Sequence, residues 1–197
     1  MVQALWLTAV GYALGSVPFA FILARRWGDV DLRTSGSGNV GATNVFRTSG
    51  PLLGLGALTL DVAKGAVTIV LAQQFTDDSA VSTVAGIAAV IGHVYPVWLR
   101  FRGGKGVATA CGVFAMLAPL ATAIVCLVFI VTASWTRYVS LGSVVGAVLF
   151  APIAYVLAAP QAVVIGGLVA AAIIVGRHRP NLRRVLAGAE GRIGHHK

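Results

Sequence analysis

Six stretches of this chain, residues 3–24, 51–75, 81–99, 107–135, 139–158 and 161–176, carry almost no charge. A helix rises about 1.5 Å per residue, so roughly 20 apolar residues cross the hydrocarbon core of a bilayer. A soluble domain of 197 residues has no interior large enough for a chain that is 57% apolar and 11% charged. The expected class is therefore an all-α integral membrane protein, with 1–197 read as a single polytopic domain. The N-terminal MVQALWLTAV lacks a basic leader and a small-residue cleavage site, and reads as a first spanning helix.

The net charge of +9 does not form a nucleic-acid patch. The basic residues gather between apolar runs, as cytoplasmic membrane loops do. Loop 25–50 holds Arg25, Arg26, Arg33 and Arg47, and loop 100–106 holds Arg100, Arg102 and Lys105. Arg137 marks another, and the tail carries Arg177, Arg179, Arg183, Arg184, Arg192 and Lys197. The segment Thr76–Ala80 has acid and no base. Placing every basic segment inside fixes a parity. If 107–135 crossed once, Arg137 and the basic tail would lie outside. If it folds back near Ala118–Pro119, all basic segments lie inside. The second reading gives seven transmembrane helices, some short or broken, with the N-terminus outside and the C-terminus cytoplasmic. The alternative is one long tilted helix over 107–135.

Three polar segments then fall on one membrane face: GSGNVGATN at 36–44, RFRGGKGVAT at 100–109 and RHRPNLRR at 177–184. Glycines let backbone N–H groups approach an anion, and consecutive N–H groups form an anion-binding nest. A helix starting after such a loop adds its positive end. Segments 36–44 and 103–106 each precede an apolar helix, and Arg47 and Lys105 add full positive charge. Each is built like a phosphate cradle.

Formal nucleotide motifs fail on context. GSGNVG fits G-x-G-x-x-G, and Asp61 lies about 20 residues on, but no βαβ unit flanks it. Lys105 is followed by Gly106, not by Ser or Thr, which excludes a Walker A loop. No metal-ligand cluster is present, and no cofactor is expected. Cys111 and Cys126 sit in apolar runs without CxxC spacing and read as buried inert thiols. His195 and His196 earn no metal assignment.

Within the spans, Asp61 and Lys64 lie three apart on one helical face. They read either as a structural pair or as substrate-facing groups. His93, in GHVYPVW, reads as a hydrogen-bonded helix residue, and Gly15-Ser16-Val17-Pro18 as a kink in the first helix.

The segments GSGNVGATNVFRTSG (36–50), DVAKG (61–65), GHVYPVWLRFRGGKGVATACG (92–112) and RHRPNLRRVLAGAE (177–190) closely resemble the bacterial acyl-phosphate:glycerol-3-phosphate acyltransferase family, the PlsY type. The likeness runs essentially end to end and includes GSVP at 15–18. One departure is Pro180, between Arg179 and Asn181 where relatives carry acidic residues. It leaves His178 and Asn181 in place.

The resemblance implies a seven-helix enzyme of the bacterial inner membrane, working at the cytoplasmic face. Acyl phosphate would donate a fatty acyl group to the 1-hydroxyl of glycerol 3-phosphate, giving lysophosphatidic acid and inorganic phosphate. Neither acyl-CoA nor acyl-carrier protein would serve as donor. The implied functional residues are Ser37, Arg47, Lys105, Ser143, His178 and Asn181. Gly36, Gly38, Asn39, Gly41, Asn44, Gly103, Gly104 and Gly106 would surround the phosphates, and Glu190 would be structural. Implied partners are the two substrates, membrane lipids and the soluble enzyme that makes acyl phosphate, with no nucleic acid.

Two anionic substrates have to be held together, so Arg47 and Lys105 are assigned to phosphates, and Ser37 and Asn39 to a phosphate or glycerol hydroxyl. His178 is a candidate base with Asn181 positioning. A substrate phosphate oxygen is the alternative proton acceptor. A covalent Ser or Cys intermediate is disfavoured, because the chain has no Cys–His pair and no G-x-S-x-G elbow. The H-x4-D motif is absent too: Trp98 follows His93 at that spacing, and Arg183 follows His178. The rival classes are a membrane transporter for an organic phosphate and a non-enzymatic membrane scaffold.

Overall fold

The computed structural model of the chain describes residues 2–194; Met1, His195, His196 and Lys197 lie outside the described residues. Nine α-helices and no strand occur among the described residues. The sequence reads as one domain; the chain divides into two compact units, Met1–Leu117 and Ala118–Lys197.

In the first unit, α1 (Val2–Ser16) and α2 (Phe19–Trp27) are separated at Val17–Pro18. Proline has no N–H for the helical ladder, so the expected kink is a complete break. Inside loop 25–50 a short helix, α3 (Ala42–Thr48), precedes the long α4 (Pro51–Gln73). Segment 36–44 therefore leads into a seven-residue helix and not directly into an apolar span. Gly50 at φ +89° and Pro51 at the first helical position separate the two helices. Helix α5 (Ser79–Val94) starts where Asp78 accepts a hydrogen bond from Ala80 N at 2.8 Å. It ends at a single 3-10 turn, Val97–Leu99, before α6 (Val107–Leu117).

Helix α1 packs on α5, and α4 packs on α5 and α6. Gly11 and Gly15 lie directly on the backbone of Ala85 and Ala89, and Gly92 on that of Tyr12 and Ser16. Without a Cβ the two backbones touch, which is how apolar helices associate in lipid. A second core joins Ala20 and Ala24 of α2, Leu32, Val40, Val45, Ala57 and Leu99. It holds the polar loop 28–41 against the helices.

The second unit holds α7 (Pro119–Thr136), α8 (Val139–Val156) and α9 (Gln161–Leu186), with α8 packed on both others. Ala118, at φ −148° and ψ 70°, breaks the 107–135 stretch into α6 and α7. The stretch is two helices and not one. The tail differs from expectation. The sequence places its start at 177, but α9 runs unbroken to Leu186 through Pro180. Pro180 costs one backbone hydrogen bond, and the buried His178 and Asn181 on either side keep the segment packed.

Among the described residues, six segments are long and apolar enough to cross a membrane: Val2–Trp27, Pro51–Gln73, Ser79–Leu99, Pro119–Thr136, Val139–Val156 and Gln161–Leu186. Helix α6 is apolar but shorter. Leu52 is 81% exposed, Leu127 61% and Trp135 87%. Apolar surfaces of that size belong in lipid and not in water. Cys111 and Cys126 are half-buried rather than buried and form no disulfide.

Candidate active site

In the first unit the two glycine loops come together. Gly36 and Gly38 both adopt the left-handed conformation, at φ +59° and +70°. Asn44, on α3, organises that loop. Its Nδ2 donates to Leu32 O at 3.3 Å and Ser35 O at 3.0 Å, and its Oδ1 accepts from Ser37 N at 2.9 Å. The Asn44 amide is thus occupied by the loop's own backbone, 1% exposed. The hydroxyl of Ser37 and the guanidinium of Arg47 are exposed and have no partner among the described residues. Asn39 is half-buried, and Gly41 caps α3 in an extended conformation. Arg33 is engaged locally. It donates from Nη2 to Asp31 Oδ2 at 2.6 Å and lies over the Phe21 ring. Its hydrogen bonds hold the Asp31 carboxyl down to about 2.

The second loop leaves the 3-10 turn through Arg100 and Phe101, both at positive φ. Phe101 N donates to Pro96 O at 2.9 Å, and Arg102 N to Leu99 O at 3.1 Å. Gly103 N then donates to Val94 O at 3.0 Å and Gly104 N to His93 O at 3.1 Å. Lys105 is half-buried, and Gly106, at φ +87°, turns the chain into α6. A Cβ on Gly104 would overlap His93 Nε2 and come within 2.8 Å of Val40 O. Val40 belongs to the first loop. The two glycine loops, more than 60 residues apart in sequence, are therefore in contact at Gly104.

Next to that contact lie three ionisable groups: Asp61 and Lys64, which the sequence leaves open between a structural and a substrate-facing role, and His93, which it reads as a hydrogen-bonded helix residue. Lys64 Nζ is 2.8 Å from Asp61 Oδ1, and His93 Nδ1 is 3.5 Å from the same oxygen. Lys64 also donates to Val17 O at 2.9 Å, in the break between α1 and α2. A cavity of about 10 Å³ is lined by Asp61, Lys64, His93, Val17, Gly103 and Gly104, among others. The i,i+3 spacing of Asp61 and Lys64 inside an apolar span was the available signal. Nothing local in the sequence shows that His93 joins them.

In the second unit, Ser143 is on α8, and His178 and Asn181 lie three apart on α9; all three are buried. Ser143 Oγ donates to Val139 O at 2.8 Å. His178 Nδ1 lies 2.8 Å from Ile174 O. A carbonyl only accepts, so Nδ1 carries the proton and Nε2 is the basic nitrogen of the neutral ring. Asn181 Nδ2 donates to Glu190 Oε1 at 2.6 Å, and Arg184 Nε to Glu190 Oε2 at 2.8 Å. Burial alone would push the Glu190 carboxyl up, but the bonds from Asn181 and Arg184 prevail and hold it low. No group of three or more metal-ligating side chains occurs among the described residues.

A family profile described as glycerol-3-phosphate acyltransferase matches residues 5–188. The chain belongs to the glycerol-3-phosphate acyltransferase family. A curated glycerol-3-phosphate acyltransferase of Halalkalibacterium halodurans is 43% identical, over 98% of this chain and 97% of its own length. That of Roseobacter denitrificans is 45% identical, over 98% and 96%. The crystal structure of PlsY, an integral membrane glycerol 3-phosphate acyltransferase, in its glycerol 3-phosphate form matches with a TM-score of 0.92 at 43% identity, over 97% of this chain and 96% of that one. Its lysophosphatidic acid form matches with a TM-score of 0.90 at 42% identity, over 97% and 95%. Family membership and the apolar helices together make this chain a multi-pass membrane glycerol-3-phosphate acyltransferase.

Proposed function

We propose that the acyl donor is acyl phosphate, and that the acyl group passes to the 1-hydroxyl of glycerol 3-phosphate. The carbonyl carbon gains a bond to the glycerol oxygen and loses its bond to phosphate. The products are lysophosphatidic acid and inorganic phosphate. The observation that carries this reading is the contact of two glycine loops at Gly104. One anionic substrate needs one cradle; two phosphate-bearing substrates need two, side by side. Acyl phosphate is already an activated anhydride, so holding the reactants together and screening their charges is the main requirement.

Arg47 and Lys105 hold the phosphates, and Gly36, Gly38, Gly41, Gly103, Gly104 and Gly106, having no side chain, let a phosphate approach the two loops closely. Ser37 and Asn39 contact a phosphate or glycerol hydroxyl. Asn44 serves the same site by fixing the 36–44 loop. His178 accepts the hydroxyl proton through Nε2, or a substrate phosphate oxygen takes it instead. Asn181 and Ser143 position. The protein lies in the bacterial inner membrane as seven spanning helices, α6 among them, with its N-terminus outside and its site at the cytoplasmic face. A soluble acyl-phosphate-forming enzyme supplies the donor.

The test is a donor panel with purified protein: acyl phosphate, acyl-CoA and acyl-carrier protein, without added metal or nucleotide. Lysophosphatidate from acyl phosphate alone is expected. Transfer from acyl-CoA with acyl phosphate inert overturns the donor assignment.

A further inference from the structure

Asp61, Lys64 and His93 are 1%, 5% and 8% exposed, on apolar helices. Burying an ion pair does not by itself favour folding, because desolvation offsets the attraction. Ionisable groups at that depth call for another account. Their placement supplies one. Lys64 bonds Val17 O and pairs with Asp61; Asp61 faces His93 Nδ1; the opposite edge of the His93 ring is the surface on which Gly104 lies. His93 O also accepts from Gly104 N. The chain of contacts joins the α1–α2 break, α4, α5 and the 103–106 loop within one unit.

We propose that Asp61 is a positioning residue for acyl transfer. It sets the orientation of the His93 ring, and the ring sets the height of Gly104 against Val40, keeping the two phosphate loops in register. Lys64 neutralises Asp61 and is itself held by Val17 O. The inference rests on reading 103–106 as phosphate-binding. A tilt of the imidazole moves Gly104 directly, since no Cβ stands between them. The effect falls on substrate binding more than on turnover.

The test uses the full-length protein in detergent or lipid. Asp61→Asn with Lys64→Met removes both charges together and leaves no unpaired ion. His93→Asn keeps the ion pair and removes the ring edge under Gly104. Each is expected to raise KM for glycerol 3-phosphate about tenfold or more, with kcat within about threefold and thermal stability near wild type. Because Asp61 acts through His93, the triple variant is expected to be no worse than either. His93→Gln, whose amide reaches toward Gly104, is expected to recover part of the loss. Unchanged KM in a folded Asp61→Asn/Lys64→Met protein overturns the proposal. So do full additivity in the triple variant, or a parallel loss of kcat and stability. If the double variant does not fold, His93→Asn decides alone, and wild-type KM there overturns it. Lys105→Ala separates the two levels. Wild-type KM in Lys105→Ala removes the phosphate-loop reading and the proposal with it. A raised KM there, with the cluster variants normal, removes only the proposal.

Discussion

Glu190 Oε1 accepts from Asn181 Nδ2 at 2.6 Å, and its other oxygen accepts from Arg184 at 2.8 Å, so the chain beyond α9 folds back onto the helix that carries His178. One carboxylate therefore holds the end of α9. Glu190→Ala removes both acceptors and is expected to cost about 2–4 kcal/mol; Glu190→Gln keeps one amide contact and costs less. The folded carboxyl is held below its usual range, so its contribution is present above the unfolded value of about 4.3 and is lost as pH falls through the lower folded value. Thermal melts on an acid series should show wild type converging on Glu190→Gln. Parallel curves down to strong acid would contradict this.

Gly36 and Gly38 are both left-handed but have different surroundings. A Cβ on Gly36 would run into the Asn44 side chain, whereas one on Gly38 has only Arg33 O, at 3.5 Å. Gly38→Ala is expected to cost roughly 1–2 kcal/mol of backbone strain. Gly36→Ala adds displacement of the amide that organises the loop. The expected order of KM for glycerol 3-phosphate is wild type, then Gly38→Ala, then Gly36→Ala. Steady-state kinetics on the three proteins read it directly.

If His178 is the base, His178→Gln should lower kcat by about 10²–10⁴ and abolish an acidic limb of its pH profile. A phosphonate analogue controls for titration of the substrate phosphate. Near-normal turnover with an unchanged profile assigns the proton to substrate.

The proposed seven-helix topology has Ser49 and Arg137 inside and the acidic loop at 76–80 outside. In a protein lacking Cys111 and Cys126, cysteines at 49 and 137 should resist an impermeant reagent added to intact cells, and one at Asp77 should label. Asp77 is preferred to Asp78, whose carboxylate caps α5. Labelling at 137 from outside would refute seven spanning helices.

The apolar runs and the basic loops made the spans legible, and Pro18 and Ala118–Pro119 marked breaks that are present. The end of the last span was not legible: the apolar run stops at the basic residues from Arg177 on, but α9 continues to Leu186, where buried His178 and Asn181 keep it packed. Short α3 was hidden in a polar, glycine-rich stretch where periodicity carries no weight. In the site, glycine spacing exposed both loops but not their contact. The i,i+3 pair of Asp61 and Lys64 was visible, but its link to His93 depends on how α4 and α5 pack, and pairwise packing leaves no trace in linear spacing.

Gly11 and Gly15 of α1 rest on the backbone of α5, and Gly92 of α5 rests on α1. The consequence concerns the order of biosynthesis. Synthesis runs toward the C-terminus, so α1 is made long before α5 exists, and the helix whose backbone it touches lies some 70 residues downstream. The same delay governs the glycine loops, since Val40 meets Gly104 only after the later one has left the ribosome. The packing of α4 on α1, α2 and α3 can form earlier, but the meeting of the two glycine loops is late, and a nascent chain arrested before Gly104 lacks it.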